Sequence, residues 1–187
     1  METDKERKSC AFTGHRPKKL PWGYDETAVE CIRLKETLAE QIAALAETGY
    51  TDFLSGMAEG TDTWAALAVL SLRGKKPALK LHCVLPCRDQ SEKWSITARE
   101  LYNQVLKQAN SIVYITESYS PGCMLKRNRY LVDHADILLA VYNGERQGGT
   151  AATVRYAQKL GRRILLIDPY GGEDASRKEI VIKADCE

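Results

Sequence analysis

No apolar run in this sequence reaches the length of a membrane span, and the first nine residues (METDKERKS) are polar, without the hydrophobic core of a signal peptide. The expected compartment is therefore the cytoplasm, with no membrane partner. Charge of one sign is also missing. Lys and Arg number 27 against 25 Asp and Glu, a formal net charge of +2, so no strong field directs the chain to DNA or to a membrane surface. The local basic patches at 5–8 and 16–19 read as solvated surface. Six cysteines include no CxxC pair, and only three histidines exist (His15, His82, His134), so neither a disulfide framework nor a metal site is expected. There is no internal repeat, no low-complexity tract and no domain boundary. The 187 residues suit one domain over 9–187, with a flexible N-terminus over 1–8. The glycines fit neither GxGxxG nor GxxxxGK[ST], which sets aside the dinucleotide and P-loop fingerprints.

The most informative stretch runs over 136–161, ADILLAVYNGERQGGTAATVRYAQKLG. Residues 137–142 are an unbroken apolar run rich in branched side chains, as a strand buried on both faces would be. Asn143-Gly144 signals a turn. A helix then starts with Thr150 as expected N-cap; Ala151, Val154, Ala157 and Leu160 form its apolar side, and Gly161 ends it. Strand, glycines and helix N-terminus in that order suit an anion: glycine lets backbone approach, and the first free N–H groups favour phosphate. A tight turn alone would explain the glycines equally well.

The same grammar recurs along the chain. Residues 9–13 form a strand running into Gly14-His15-Arg16-Pro17 and a loop with two prolines, Trp22 and Tyr24. A helix over 25–48 carries Cys31, Leu34, Leu38, Ile42 and Leu45 on one face. Strand 51–55 leads to Gly56, Glu59 and Gly60 and to a helix whose buried side is read as Ala65, Ala68, Val69 and Leu72. Strand 79–85 precedes a helix for which Asp89 and Glu92 form a candidate capping box, with Trp94 read as packing. Strand 112–116 ends in a polar loop over 117–123. A helix over 124–135 follows, from which Arg127, Asn128 and Tyr130 could reach a ligand. Strand 163–168 and a weak strand at 180–182 close the chain. Strands alternating with helices six times predict an α/β fold: a doubly wound, mostly parallel sheet of about six strands with helices on both faces. Such a sheet binds its ligand outside the carboxyl ends of the strands, where the strand order reverses.

Three motifs resemble a known superfamily. SGMAEGTDTWAA (55–66) resembles the SGxAxGxD turn of the DNA-processing protein A (DprA-like) Rossmann domain. GGTAATVRYAQKLGRRI (148–164) resembles that family's GGTxxTAxxAxxxGR segment. TGHRPKKLPWGYDE (13–26) is similar to the amino-terminal signature of the YpsA-like SLOG family of Firmicutes and their phages. The resemblance covers about residues 10–168 and implies a Rossmann-like SLOG domain with a site for a nucleotide or nucleotide-derived ligand. It carries over Thr13, Gly14, His15 and Arg16 from the first motif. Ser55, Gly56, Glu59, Gly60, Thr61 and Asp62 come from the second, and Gly148, Gly149 and Thr150 from the third. The PGGxGTxxE pattern of the related LOG phosphoribohydrolases is absent, since the last helix offers Thr153, Arg155 and Tyr156 in place of its Glu.

Three functions are compatible with these features. The first is a sensor or adaptor binding a nucleotide-like ligand, with phosphate on the glycine loop, Arg16 or Arg127 neutralising charge, and Glu59 or Asp62 on ribose hydroxyls. The second is a hydrolase of an N-glycosidic or phosphate bond, with Glu59 or Asp62 as general base and His15 as acid. The third, least favoured at this net charge, is single-stranded nucleic-acid binding. No cofactor is certain beyond the suspected nucleotide, and a homodimer is compatible with exposed apolar helix faces.

Overall fold

In a computed structural model, the described residues are 7–170 and the backbone of a strand at 178–180. The remaining residues, including most of the N-terminal segment expected to be flexible and Val181 and Ile182 of the weak last strand, lie outside that description.

Six strands run parallel: β1 (Lys8–Gly14), β2 (Tyr50–Ser55), β3 (Lys80–Leu85), β4 (Ser111–Tyr114), β5 (Ile137–Val141) and β6 (Arg163–Ile167). A short β7 (Lys178–Ile180) pairs antiparallel with β6. The order is β4-β3-β2-β1-β5-β6-β7. Helices α1 (Val29–Glu47), α2 (Thr61–Arg73), α3 (Ile96–Gln108), α4 (Cys123–Asp133) and α5 (Gly149–Lys159) connect successive parallel strands. The expected doubly wound α/β sheet is what forms.

Period-two alternation splits the strand side chains between two cores. Cys10 and Phe12, Phe53, Leu81 and Cys83, and Leu139 and Val141 face α1, α2 and α3. Ala11, Leu54, Val84, Leu138 and Ala140 face α4 and α5. Every residue of β5 is buried, because this central strand is covered on both faces. No helix among the described residues is long and apolar enough to cross a membrane.

Strands β1 to β4 are laid down outward in one direction. The chain then returns over the sheet through α4 and places β5 on the other side of β1. The strand order therefore reverses between β1 and β5, which pair along their length from Cys10–Ile137 to Gly14–Val141.

Some local expectations are corrected. Helix α5 begins at Gly149, with Gly148 rather than Thr150 as N-cap, because the chain there takes φ 104°, a conformation open to glycine. Gly161 does end the helix, at φ 63°. Leu160 is exposed, while Thr153 joins the buried side. In α2, Trp64 and Ala66 are buried, and Ala68 and Leu72 only border the core. Helix α3 is capped not by Asp89 and Glu92 but by Ser95, whose Oγ accepts from Ala98 N at 3.2 Å. The Asp89 carboxylate instead accepts from Tyr119 N at 3.3 Å, steadying the loop after β4. Trp94 packs edge-on against Tyr102, their centroids 5.3 Å apart. Trp22 packs on the core, whereas Tyr24 is exposed.

Candidate functional site

The loops after β1 and β2 interlock. A Cβ at Gly14 would stand 2.5 Å from the Thr61 side chain, so the end of β1 abuts the first residue of α2. Thr61 Oγ1 donates to His15 O at 3.1 Å. Gly60, the N-cap of α2 at φ 88°, turns so tightly that a Cβ would lie 2.8 Å from Pro17 Cδ. Ser55 is fully buried; its hydroxyl donates to Asp62 O at 2.9 Å and accepts from Met57 N at 3.1 Å. Ser55, Gly60 and Thr61 thus shape the turn.

The loops after β1 and β5 are tied by His15, which is buried. Its Nε2 lies 3.0 Å from Asn143 Oδ1. That oxygen also accepts from Glu145 N at 3.1 Å, while Asn143 Nδ2 donates to Glu145 Oε1 at 3.2 Å. The amide orientation is fixed, so Nε2 carries the imidazole proton. Tyr142 Oη donates to Glu145 O. Lys19 Nζ and Glu145 Oε2, 2.8 Å apart, form an exposed ion pair across the two loops. The Lys19 hydrogen bond, with that of Asn143, holds the Glu145 carboxyl below the usual range.

Helix α4 inserts a guanidinium between these loops. Arg127 is buried; its Nη1 donates to Gly56 O and lies 3.7 Å from Asp62 Oδ2. A side chain at Gly56 would occupy the space of that guanidinium, with a Cβ 1.9 Å from Nη1. Arg127 Nε donates to Asn128 Oδ1 at 2.8 Å, Asn128 Nδ2 to Thr153 Oγ1 at 2.9 Å, and Thr153 Oγ1 to Gly149 O at 2.8 Å. One continuous hydrogen-bonded chain therefore links the turn after β2 to the N-terminus of α5. Burial raises the Asp62 carboxyl above its usual range, opposed by Arg127, the Ala58 N–H (3.3 Å) and Arg16. Arg127 keeps its charge, since guanidinium does not deprotonate in proteins.

These elements enclose a cleft of about 160 Å³ at the carboxyl ends of β1 and β5, where the strand order reverses. Thr13, Gly14, His15, Arg16, Asp62, Arg127, Asn128, Gly148, Gly149 and Thr150 all line it. The N–H groups of Gly149, Thr150 and Ala151 precede the first intrahelical bond, from Ala152 N to Gly148 O, and so have no partner within the helix. Ser55, Gly56, Glu59, Gly60 and Thr61 are not in the lining. Glu59 sits beside it, raised by partial burial and opposed by Arg16. Tyr130 points elsewhere, stacking on His134 with centroids 3.9 Å apart. Lys18, Lys19, Met124 and Gln147 line the cleft as well. The sequence signal for the two lysines is a basic patch directly after a strand; the expectation of solvated surface is corrected, since both face the cleft. Among the described residues no group of three His, Cys, Asp or Glu side chains could hold a metal.

A parallel sheet with its polar cleft at the reversal of strand order defines a Rossmann-like α/β domain. The family model described as "YspA SLOG family" matches residues 10–169, and the chain belongs to that family. An UPF0398 protein of Bacillus pumilus is 33% identical over 154 residues, covering 81% of this chain and 82% of that one. Another, of Bacillus thuringiensis, is 33% identical over 157 residues, covering 82% and 84%. Among solved structures, DNA processing protein A from Helicobacter pylori, described for its single-stranded DNA binding mode, superposes with a TM-score of 0.61 at 19% identity. The match covers 91% of this chain and 68% of that one. At that identity the likeness concerns the fold.

Proposed function

We propose that the chain binds a nucleotide or nucleotide-derived ligand in the β1–β5 cleft and acts as a cytoplasmic sensor or adaptor. The observation that carries this reading is the convergence, at one reversal of strand order, of the glycine-flanked N-terminus of α5 with Arg16, Lys18, Lys19 and Arg127. Free helix N–H groups and cations together favour a phosphate. Asp62 lines the same cleft, but its carboxylate already serves Arg127 and the Ala58 N–H. Glu59 stands outside the lining. Neither is placed to activate water, so binding without turnover is favoured over hydrolysis.

The test is a thermal-shift screen against nucleotides, NAD, ADP-ribose and cyclic nucleotides, repeated on Gly149→Asp. A Cβ at Gly149 meets nothing nearer than Asn128 Nδ2 at 3.9 Å, so the variant folds while placing a carboxylate on the anion site. A ligand at one hundred times its Kd should stabilise the wild type by about 2.7 kcal/mol and leave the variant unmoved. Equal stabilisation of both would remove the cleft from consideration.

A second reading, single-stranded nucleic acid, draws support from a groove of about 500 Å³ beside the cleft. Arg129, Arg155, Lys159 and Tyr156 line it, and Asn128 borders both spaces. Cations interleaved with an aromatic ring suit a phosphate backbone and a stacked base. This reading requires oligonucleotide affinity that falls steeply with salt; a flat response would exclude it.

A further inference from the structure

The return of α4 across the sheet leaves part of one face open over β2, β3 and β4. A second cleft of about 300 Å³ lies there, sharing no lining residue with the first. Its floor is apolar, from Leu54, Val84 and Val113. Set into that floor are an acid, an imidazole and a hydroxyl from three adjacent strands. His82 Nε2 is 2.8 Å from Asp52 Oδ1, and His82 Nδ1 is 2.7 Å from Ser111 Oγ. His82 and Ser111 are register partners on neighbouring strands.

The polarity of this relay follows from its partners. Thr51 Oγ1 donates to Asp52 Oδ2 at 2.7 Å. Although burial opposes it, that bond and the one from His82 hold the Asp52 carboxyl below its usual range, so it is ionised and accepts only. In the neutral imidazole, His82 Nε2 then carries the proton, and Nδ1 presents a lone pair to the Ser111 hydroxyl. This is the arrangement in which an imidazole removes a serine proton while a carboxylate stabilises the imidazolium. Burial does not demand the network: Ser111 is exposed and has water as an alternative partner. Arg7 lines the same cleft.

We propose that Ser111, His82 and Asp52 form a hydrolytic triad in this second cleft, acting on carboxylic esters with a small apolar acyl group. Ser111 Oγ bonds to the acyl carbon while its proton passes to His82 Nδ1. The ester C–O bond breaks, and the proton leaves with the alcohol. Water then gives one proton to His82 and its hydroxyl to the acyl carbon, releasing the carboxylic acid and restoring the Ser111 hydroxyl. Asp52 is a positioning residue, acting through His82.

The test uses the full chain with p-nitrophenyl acetate and butyrate, and a fluorophosphonate label located by peptide mass spectrometry. Saturable hydrolysis and one adduct, on Ser111, are expected. Ser111→Ala and His82→Gln should each lower kcat by at least about 100-fold. Asp52→Asn should lower kcat and the labelling rate together with KM within about twofold, a split that a merely structural role would not produce. Absence of saturable turnover and of a Ser111 adduct in the wild type would overturn the assignment. So would turnover in a folded Ser111→Ala protein equal to that of the wild type. The labelling arm needs no variant, so failure of a variant to fold does not decide the result.

Discussion

Replacing Arg127 with Met removes the charge that faces Asp62 and keeps most of the volume. Both side chains are buried, at 5% and 8% exposure, with Nη1 and Oδ2 3.7 Å apart. Breaking a buried pair from one side costs about 3–5 kcal/mol, because the remaining charge is stranded. Asp62 can escape only by taking a proton. From an unfolded-state pKa of about 3.9, that costs about 4 kcal/mol at neutral pH, which is the ceiling on the electrostatic part. The wild type already bears some of this cost, since burial raises the Asp62 carboxyl even beside Arg127. A carboxyl raised in the folded state is destabilising at neutral pH, and the cost is relieved as pH falls toward the unfolded value. With Arg127 gone the rise is larger, so the variant gains more from acid than the wild type does. A carboxyl protonated when folded and ionised when unfolded changes stability by about 1.4 kcal/mol per pH unit. Urea unfolding at about pH 7.5 and about pH 5.5 measures this directly. The gap between variant and wild type should narrow by about 1–3 kcal/mol at the lower pH. A gap that does not change with pH would refute the ion-pair account and leave only packing.

Gly60→Ala should cost about 1–3 kcal/mol, because φ 88° and the Pro17 ring 2.8 Å from the new Cβ both oppose it; thermal unfolding reads the loss. Ser95→Ala should cost about 1 kcal/mol in denaturant unfolding, through the lost cap on Ala98 N. Glu145→Gln should leave thermal stability unchanged, since its ion pair with Lys19 is exposed. It should tighten calorimetric binding of pyrophosphate a few-fold, because Lys19 is freed at the cleft mouth.

What the sequence revealed of the fold follows from where periodicity is unambiguous. The apolar run at 137–142 and the alternation of strands with helices carry the parallel architecture, and the burial of all of β5 agrees with that reading. Helix starts were less legible. Asp89 and Glu92 match a capping box, yet tertiary contact draws the Asp89 carboxylate to Tyr119 N. Thr150 is a good N-cap by residue type, but Gly148 alone suits the backbone there. Eight of the residues carried over from motifs line the first cleft, with Arg127 and Asn128 from the helix after β4. The motif spacing does not distinguish residues that face a ligand from those, such as Ser55 and Thr61, whose hydroxyls hold the turn together. Lys18 and Lys19 become cleft residues only because the loop after β1 folds toward Glu145. The Asp52–His82–Ser111 relay joins three strands with no shared motif, so nothing local in the sequence announces it.

The most direct test of the nucleotide-binding account is an amide nitrogen–proton titration of the labelled chain with ADP, followed by NMR. The account predicts saturable shifts at Gly14, Arg16, Gly148, Gly149, Thr150 and Ala151, the amides around the β1–β5 cleft and the α5 N-terminus. Shifts absent from these amides, or confined to another face of the sheet, would contradict it.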